Sequence, residues 1–201
     1  GTYELTYERN DFVIAPKYTY QISNYIALDF MVGITYSIID LEVEEGAFVC
    51  ISAPSGGGKT TLLNAVGGLD MPDSGEVWIE DERIDQLNKG ELAELRLRHI
   101  GFVFQAYNLI PVLTARENVE FVMEVRGVPA HERRQRSLEI LQEVGLEGLD
   151  ERRPAEMSGG QQQRVAVARA IVSRPSLVLA DEPTANLDSK TAEGLMRLFA
   201  N

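Results

Sequence analysis

The run Ala53-Pro54-Ser55-Gly56-Gly57-Gly58-Lys59-Thr60-Thr61 constrains this chain more than any other segment. Successive small residues let backbone N–H groups converge on one concavity. Lys59 adds a mobile cation for outer phosphates, and Thr60 offers a hydroxyl to Mg²⁺. Such a loop works between a strand and a helix, and its flanks supply both. Ala47-Phe48-Val49-Cys50-Ile51-Ser52 reads as a buried strand, and Thr61-Leu62-Leu63-Asn64-Ala65-Val66 reads as a helix whose N-terminal dipole faces the phosphates. The ligand class is a nucleoside triphosphate, and the fold class is α/β. Ala53 stands where the usual motif has Gly; if the backbone there needs positive φ, Ala costs about 1 kcal/mol.

The rest of the chain narrows the setting. With 201 residues it can bury one substantial core and a small appended subdomain. A hydrophobic fraction of 44% and a charged fraction of 25% are those of a soluble globular protein. The formal net charge of −12 argues against a nucleic-acid partner, since a phosphate backbone is held by clustered Lys and Arg. Arg133, Arg134 and Arg136 do cluster, but in a helical pattern beside acidic residues, which reads as a solvated helix face. The single cysteine, Cys50, lies in an apolar strand and fits a reducing compartment. The longest apolar run, Phe30 to Ile39, is interrupted by Gly33, Thr35 and Ser37, far short of the roughly 20 residues that span a bilayer. No secretory leader is visible, so a cytosolic protein is expected.

Up to about Leu41 the chain is rich in Tyr, Ile, Phe and Val in alternating patches, as half-buried antiparallel strands are. A turn cluster at Asp70-Met71-Pro72-Asp73-Ser74-Gly75 precedes a short strand from Glu76 to Ile79, and Glu80-Asp81-Glu82 turns the chain again. Gly101-Phe102-Val103-Phe104 is a compact strand ending at Gln105. From Thr114 to about Gly145 the pattern is helical, with a break at Gly127-Val128-Pro129. Ser158 is a natural N-cap for a helix through Val172, whose buried stripe is Val165, Ala168 and Val172. Leu177-Val178-Leu179-Ala180 is a fully apolar strand ending in Asp181 and Glu182, after which Pro183 turns the chain out of the sheet. A last helix begins near Ser189.

Met157-Ser158-Gly159-Gly160-Gln161-Gln162-Gln163-Arg164 resembles the signature sequence of ATP-binding-cassette (ABC) ATPases. Leu177 to Glu182, running into Pro183-Thr184, resembles their Walker B strand, and Ala185-Asn186-Leu187-Asp188 their D-loop. Gly67-Gly68-Leu69-Asp70, Phe102 to Glu117, and Ser158 to Lys190 are most similar to the small subunits of the LolD, MacB and FtsE type. The resemblance runs from about Leu41 to the end of the chain. It implies a P-loop core of ABC ATPase type with an N-terminal antiparallel β subdomain and a helical insertion, over residues 17–201 with the helical part at about 106–160. Residues 1–16 form an extension outside it. The family's switch histidine follows the strand after the last helix seen here. His99 and His131 lie in the wrong segments to replace it, so a C-terminally incomplete domain is expected.

The same resemblance assigns the site. ATP is cradled by Ala53, Pro54, Ser55, Gly56, Gly57, Gly58, Lys59, Thr60 and Thr61. A second copy offers Ser158, Gly159, Gly160 and Gln161 to the γ-phosphate, since a helix start rich in glycine presents free N–H groups. Mg²⁺ falls to Thr60, Gln105 and Asp181, because a hard cation wants oxygen ligands. Glu182 is the general base for the attacking water, with Gln105 reaching both metal and transport partner. Tyr25 is the candidate for stacking on adenine, with Tyr18, Tyr20 and Tyr36 nearby. The implied partners are a second ATPase subunit and an inner-membrane permease of the lipoprotein-release or efflux kind, with this chain peripheral on the cytoplasmic face. Ala106-Tyr107-Asn108-Leu109-Ile110-Pro111 and the helix after Thr114 would accept a cytoplasmic helix of the permease. The alternatives are a nucleotide-dependent regulator of a cell-division or cell-wall complex, and an ATP-binding module with little turnover.

Overall fold

The computed structural model describes residues 13–14, 23–27, 38–39, 45–49, 58–72 and 75–184. Among the described residues, nearly all of the buried core lies in the last of these segments. Strand β7 (Ile100–Val103) pairs in parallel with β8 (Leu177–Ala180), residue for residue from Ile100 with Leu177 to Val103 with Ala180. All four residues of β8 are buried, so an uninterrupted apolar run is what this strand needs. Alternation sends Leu177 and Leu179 to one face and Val178 and Ala180 to the other.

Each face meets its own layer. Leu177 and Leu179 join Leu63 of helix α1 (Lys59–Val66), Ile79 of β5 (Trp78–Ile79), Ile84, and Leu92 and Leu95 of α2 (Lys89–His99). Strand β5 forms an antiparallel hairpin with β6 (Glu82–Arg83), whose turn puts Glu80 at φ 53°. On its outer side the hairpin exposes Trp78, which donates its indole N–H to Glu76. On the opposite face of the sheet, Val178, Ala180 and Val103 pack on Val167 and Ala170 of α5 (Gly159–Ile171). The remaining flank of α5, with Val165, Ala168 and the following Val172, is shared with α3 (Ala115–Val125) and α4 (Ala130–Glu143). Helix α5 is therefore the wall between the sheet and the helical region. Complete burial of a Val or Leu in such a layer contributes about 2 kcal/mol relative to exposure.

The helices begin where local chemistry says they should. Thr114 caps α3 in a reciprocal box with Glu117, whose carboxylate is held below its usual range by the Thr114 N–H it accepts. Gly127, at φ 74°, ends that helix, and Pro129 is the N-cap of α4. Asn118 is fully buried in α3: its side-chain oxygen accepts from Ile110 N, and its amide donates to the carbonyls of Ile110, Leu113 and Thr114. One side chain thus satisfies the backbone of the connection after β7.

The N-terminal region departs from the antiparallel expectation at its described pairs. Strand β1 (Val13–Ile14) runs parallel to β3 (Ile38–Ile39), while β2 (Ser23–Ala27) lies between β4 (Glu45–Val49) and β8, parallel to both. The central order is β4-β2-β8-β7. Alternating β-branched and aromatic residues favour strands but carry no information on direction. A parallel partner needs only a long enough crossover, which the segments between these strands provide. The expected helix near Ser189 lies outside the described residues, as does Cys50.

Close approach of β7 to α5 makes a glycine obligatory. A Cβ built on Gly101 would lie 2.3 Å from the Ala170 carbonyl oxygen and 3.1 Å from Pro175 Cγ. Gly101→Ala therefore has to separate helix from sheet and should cost roughly 2–3 kcal/mol, read as a lower midpoint in urea unfolding followed by far-UV circular dichroism.

Candidate functional site

Two strand ends and one helix start build the site. Gly58 precedes α1 in the left-handed region at φ 83°, a conformation that suits glycine, and Lys59 and Thr60 form the first turn of the helix. From β8, Asp181 continues the ladder by donating its N–H to Val103 O at 2.9 Å. The next residue breaks away: Glu182 has φ 46°, a left-handed conformation that costs a residue with a side chain about 1 kcal/mol or more. This turn explains how two adjacent carboxylates address different partners.

The Thr60 hydroxyl donates to Asp181 Oδ2 at 2.9 Å. Lys59 Nζ lies 3.2 Å from Glu182 Oε1, and Gln105 Nε2 donates to the other carboxylate oxygen, Oε2, at 3.2 Å. The Lys59 side chain is only 11% exposed, whereas that of Glu182 is 40% exposed. A largely enclosed cation thus meets a carboxylate that is still open to water. In the segment leading to Gln105, Phe102 and Phe104 stack with ring centroids 5.4 Å apart.

Gln105 is followed by a second strained turn, with Tyr107 at φ 58° and Asn108 at φ 50°. Arg169 of α5 holds it, donating to the carbonyls of Tyr107 at 2.8 Å and Asn108 at 2.6 Å. Burial lowers the pKa of this guanidinium, which nonetheless stays charged at any working pH.

At the start of α5, Ser158 forms the N-cap. Its hydroxyl accepts from Gln161 N, and the Gln161 side chain accepts from Ser158 N at 2.9 Å. Ser158 and Gly159 are exposed. This segment's side chains bond its own cap, Gln162 donates to the Met157 carbonyl, Gln163 donates to the Pro183 carbonyl, and the Gly160 carbonyl accepts from Arg164. Lys59 and Thr60 are thus joined to Gln105, Asp181 and Glu182, while at the start of α5 Ser158 and Gly159 are exposed and Gly160 and Gln161 half-buried. Thr61 sits in the first turn of α1 and is exposed. Ala53, Pro54, Ser55, Gly56 and Gly57 lie outside the described residues, as do Ala185, Asn186, Leu187 and Asp188. Tyr25 is in β2 opposite Phe48, and its side chain is outside what the structure describes. Sequence reasoning gave no role to Arg169, Asn118 or Gln163. Gln163 lies in the polar run from Gln161 to Arg164, which gives no local sign that one of its members is buried.

Hard oxygen donors suit a small divalent cation. Thr60 Oγ1 and Asp181 Oδ2 are already side by side, and no cluster of three or more acidic, His or Cys residues that could hold a metal exists among the described residues. A cation here would complete its shell with phosphate oxygens and water, which is how Mg²⁺ prefers to bind.

The fold and site define a nucleotide-binding P-loop protein. The sequence profile of the ABC transporter family matches residues 36–185. An uncharacterized ABC transporter ATP-binding protein of Thermotoga maritima is 53% identical over 161 residues, covering 80% of this chain and 69% of the relative. The lipoprotein-releasing system ATP-binding protein LolD of Bacteroides fragilis is 47% identical over 161 residues, covering 80% of this chain and 74% of its own length. A solved dimer of the cassette MJ0796, from Methanocaldococcus jannaschii, in a post-hydrolysis state bound to ADP and Pi, superposes with a TM-score of 0.76 at 43% identity. That match covers 89% of this chain and 79% of the cassette. The chain belongs to the ABC transporter family, among its ATP-binding cassettes. No helix among the described residues is long and apolar enough to cross a membrane.

The left-handed turn at Glu182 generates a test independent of chemistry. Glu182→Gly and Glu182→Ala both remove the carboxylate, but only Ala keeps the strain. The Gly variant should be more stable by about 1 kcal/mol, opposite to the usual order, in paired denaturant titrations.

Proposed function

We propose that this chain binds and hydrolyses ATP as one subunit of a dimer that drives a membrane permease. The observation that carries the reading is the convergence of Lys59, Gln105 and Glu182 through contacts of 3.2 Å, next to the 2.9 Å bond between Thr60 and Asp181. Lys59 and the backbone amides of the glycine-rich loop hold the outer phosphates. Thr60 and Asp181 would hold Mg²⁺, which when bound would neutralise charge on the phosphate oxygens. Glu182 Oε2 orients and deprotonates the attacking water, and the Gln105 amide fixes the carboxylate that does so. Lys59 is ion-paired with Glu182 here, and a bound triphosphate competes for that cation.

Ser158, Gly159, Gly160 and Gln161 complete the site of a second copy, because first-turn N–H groups beside two glycines present a positive dipole end to the γ-phosphate. The exposure of Ser158 and Gly159 supports this arrangement. The dimeric cassette bound to ADP and Pi supports it as well. The permease would dock where the connection after β7 meets α3. Val112 is 72% exposed there, and Phe121 and Val125 are exposed on the helix. Similarity to LolD supports a permease of the lipoprotein-release type, with this chain peripheral on the cytoplasmic face of the inner membrane. Tyr25 remains the proposed adenine platform, and residues 17–201 the ATPase domain with its helical part at about 106–160.

Two variants test the reading. Lys59→Ala should abolish measurable binding of a fluorescent ATP analogue, and unchanged affinity would show that the cradle is not the site. Glu182→Gln should keep ATP affinity while lowering turnover at least a hundredfold or so. With ATP and Mg²⁺ it should elute as a stable dimer in size-exclusion chromatography, and a variant that stays monomeric would rule out the two-copy site.

A further inference from the structure

Glu182 is held in a conformation that its own residue type disfavours, at φ 46°, so something beyond the local chain must hold it. Two hydrogen bonds bracket the turn. On the strand side, Asp181 N donates to Val103 O at 2.9 Å. On the far side, Gln163 Nε2 donates to Pro183 O at 2.8 Å. Gln163 is a helix residue, 1% exposed, in a stretch of α5 that otherwise buries Val165, Ala166, Val167 and Ala168. Its side-chain oxygen has no hydrogen-bond partner among the described residues. Burying an amide with half its capacity unmet is costly, and an apolar side chain of the same length would avoid that cost. The bond to the Pro183 carbonyl is therefore what this amide provides and an apolar residue could not.

We infer that Gln163 is a positioning residue for Glu182, fixing the left-handed turn after β8 by anchoring the Pro183 carbonyl to the signature helix. The inference rests on the proposed role of Glu182 as general base. Ser158 and Gln163 are five residues apart on one rigid helix, about one and a half turns. The segment that meets the partner's nucleotide is thus mechanically joined to the base of the chain's own site.

The test is a double-mutant cycle on ATP turnover by the full chain. Gln163→Met keeps length and removes the donor. Its kcat should fall between about tenfold and a hundredfold with the KM for ATP within about twofold, as expected for a displaced base rather than lost binding. Its melting temperature should stay within about 4 °C of the parent, a change worth less than roughly 1 kcal/mol. In a Glu182→Gln background, Gln163→Met should cause no further fall in the residual single-turnover rate. Equal falls in both backgrounds would assign Gln163 to packing alone and overturn the inference, as would a wild-type kcat. Gln163→Asn, which keeps the amide but shortens its reach, should give the same split and serves as the readout if the Met variant does not fold. Wild-type turnover by Glu182→Gln alone would overturn the general-base reading instead. An inactive Glu182→Gln beside a fully active Gln163→Met would overturn only the positioning role.

Discussion

The parallel pairing of β7 with β8 is the constraint on which the site depends. Because Val103 lies opposite Ala180, both strands end at the same level, and Gln105 and Glu182 each fall two residues beyond that end. Parallel register therefore brings two residues 77 positions apart in the chain to within 3.2 Å. The same ladder is extended by one bond, Asp181 N to Val103 O, which keeps the first carboxylate in line with the strand and close to Thr60. Slippage by one residue would exchange the two faces of β8, sending the leucines into the α5 layer and Val178 and Ala180 into the other, so the four buried apolar residues that stabilise the strand also set the geometry of the chemistry.

Helix α5 adds a second constraint. It packs on the sheet with one flank and on the helical region with the other, and two of its polar residues reach out to the left-handed turns. Ser158 caps its start, Gln163 holds the Pro183 carbonyl, and Arg169 holds those of Tyr107 and Asn108. Both left-handed turns that flank the site are tied to this helix. It is a rigid bar against which Gln105 and Glu182 are set.

Much of this was legible in the residues. The Ser158 cap, the break at Gly127-Val128-Pro129 and the four-residue strand before Asp181 announce themselves because cap chemistry, proline geometry and an apolar run are local signals. Lys59 and Thr60 stand out through the glycine-rich loop before them, whereas Gln105 and the roles of Asp181 and Glu182 are what the family resemblance implies, and the structure brings the five together. Three features were not legible. A left-handed glutamate violates local preference and is sustained only by tertiary hydrogen bonds. Asn118 looks like an ordinary surface residue of α3, and nothing local says that it satisfies backbone groups from Ile110 to Thr114. The parallel pairing of β2 with β4 and β8 was hidden because strand-forming residues specify a surface to be covered rather than the direction of the neighbour.

The hairpin at Trp78 has an optical consequence. The chain carries one tryptophan, and its indole is 52% exposed on the outer side of β5 with its N–H directed to Glu76. Intrinsic tryptophan emission will therefore be that of a hydrated indole, sensitive to added quenchers and to the Glu76 carboxylate. It will be a poor reporter of events at Lys59. The neighbouring Ile79 is buried in the core, so the wavelength will shift little on unfolding while quencher accessibility and anisotropy register the loss of the hairpin. A tryptophan placed near Gln105 by mutation would turn the same measurement into a probe of the nucleotide site.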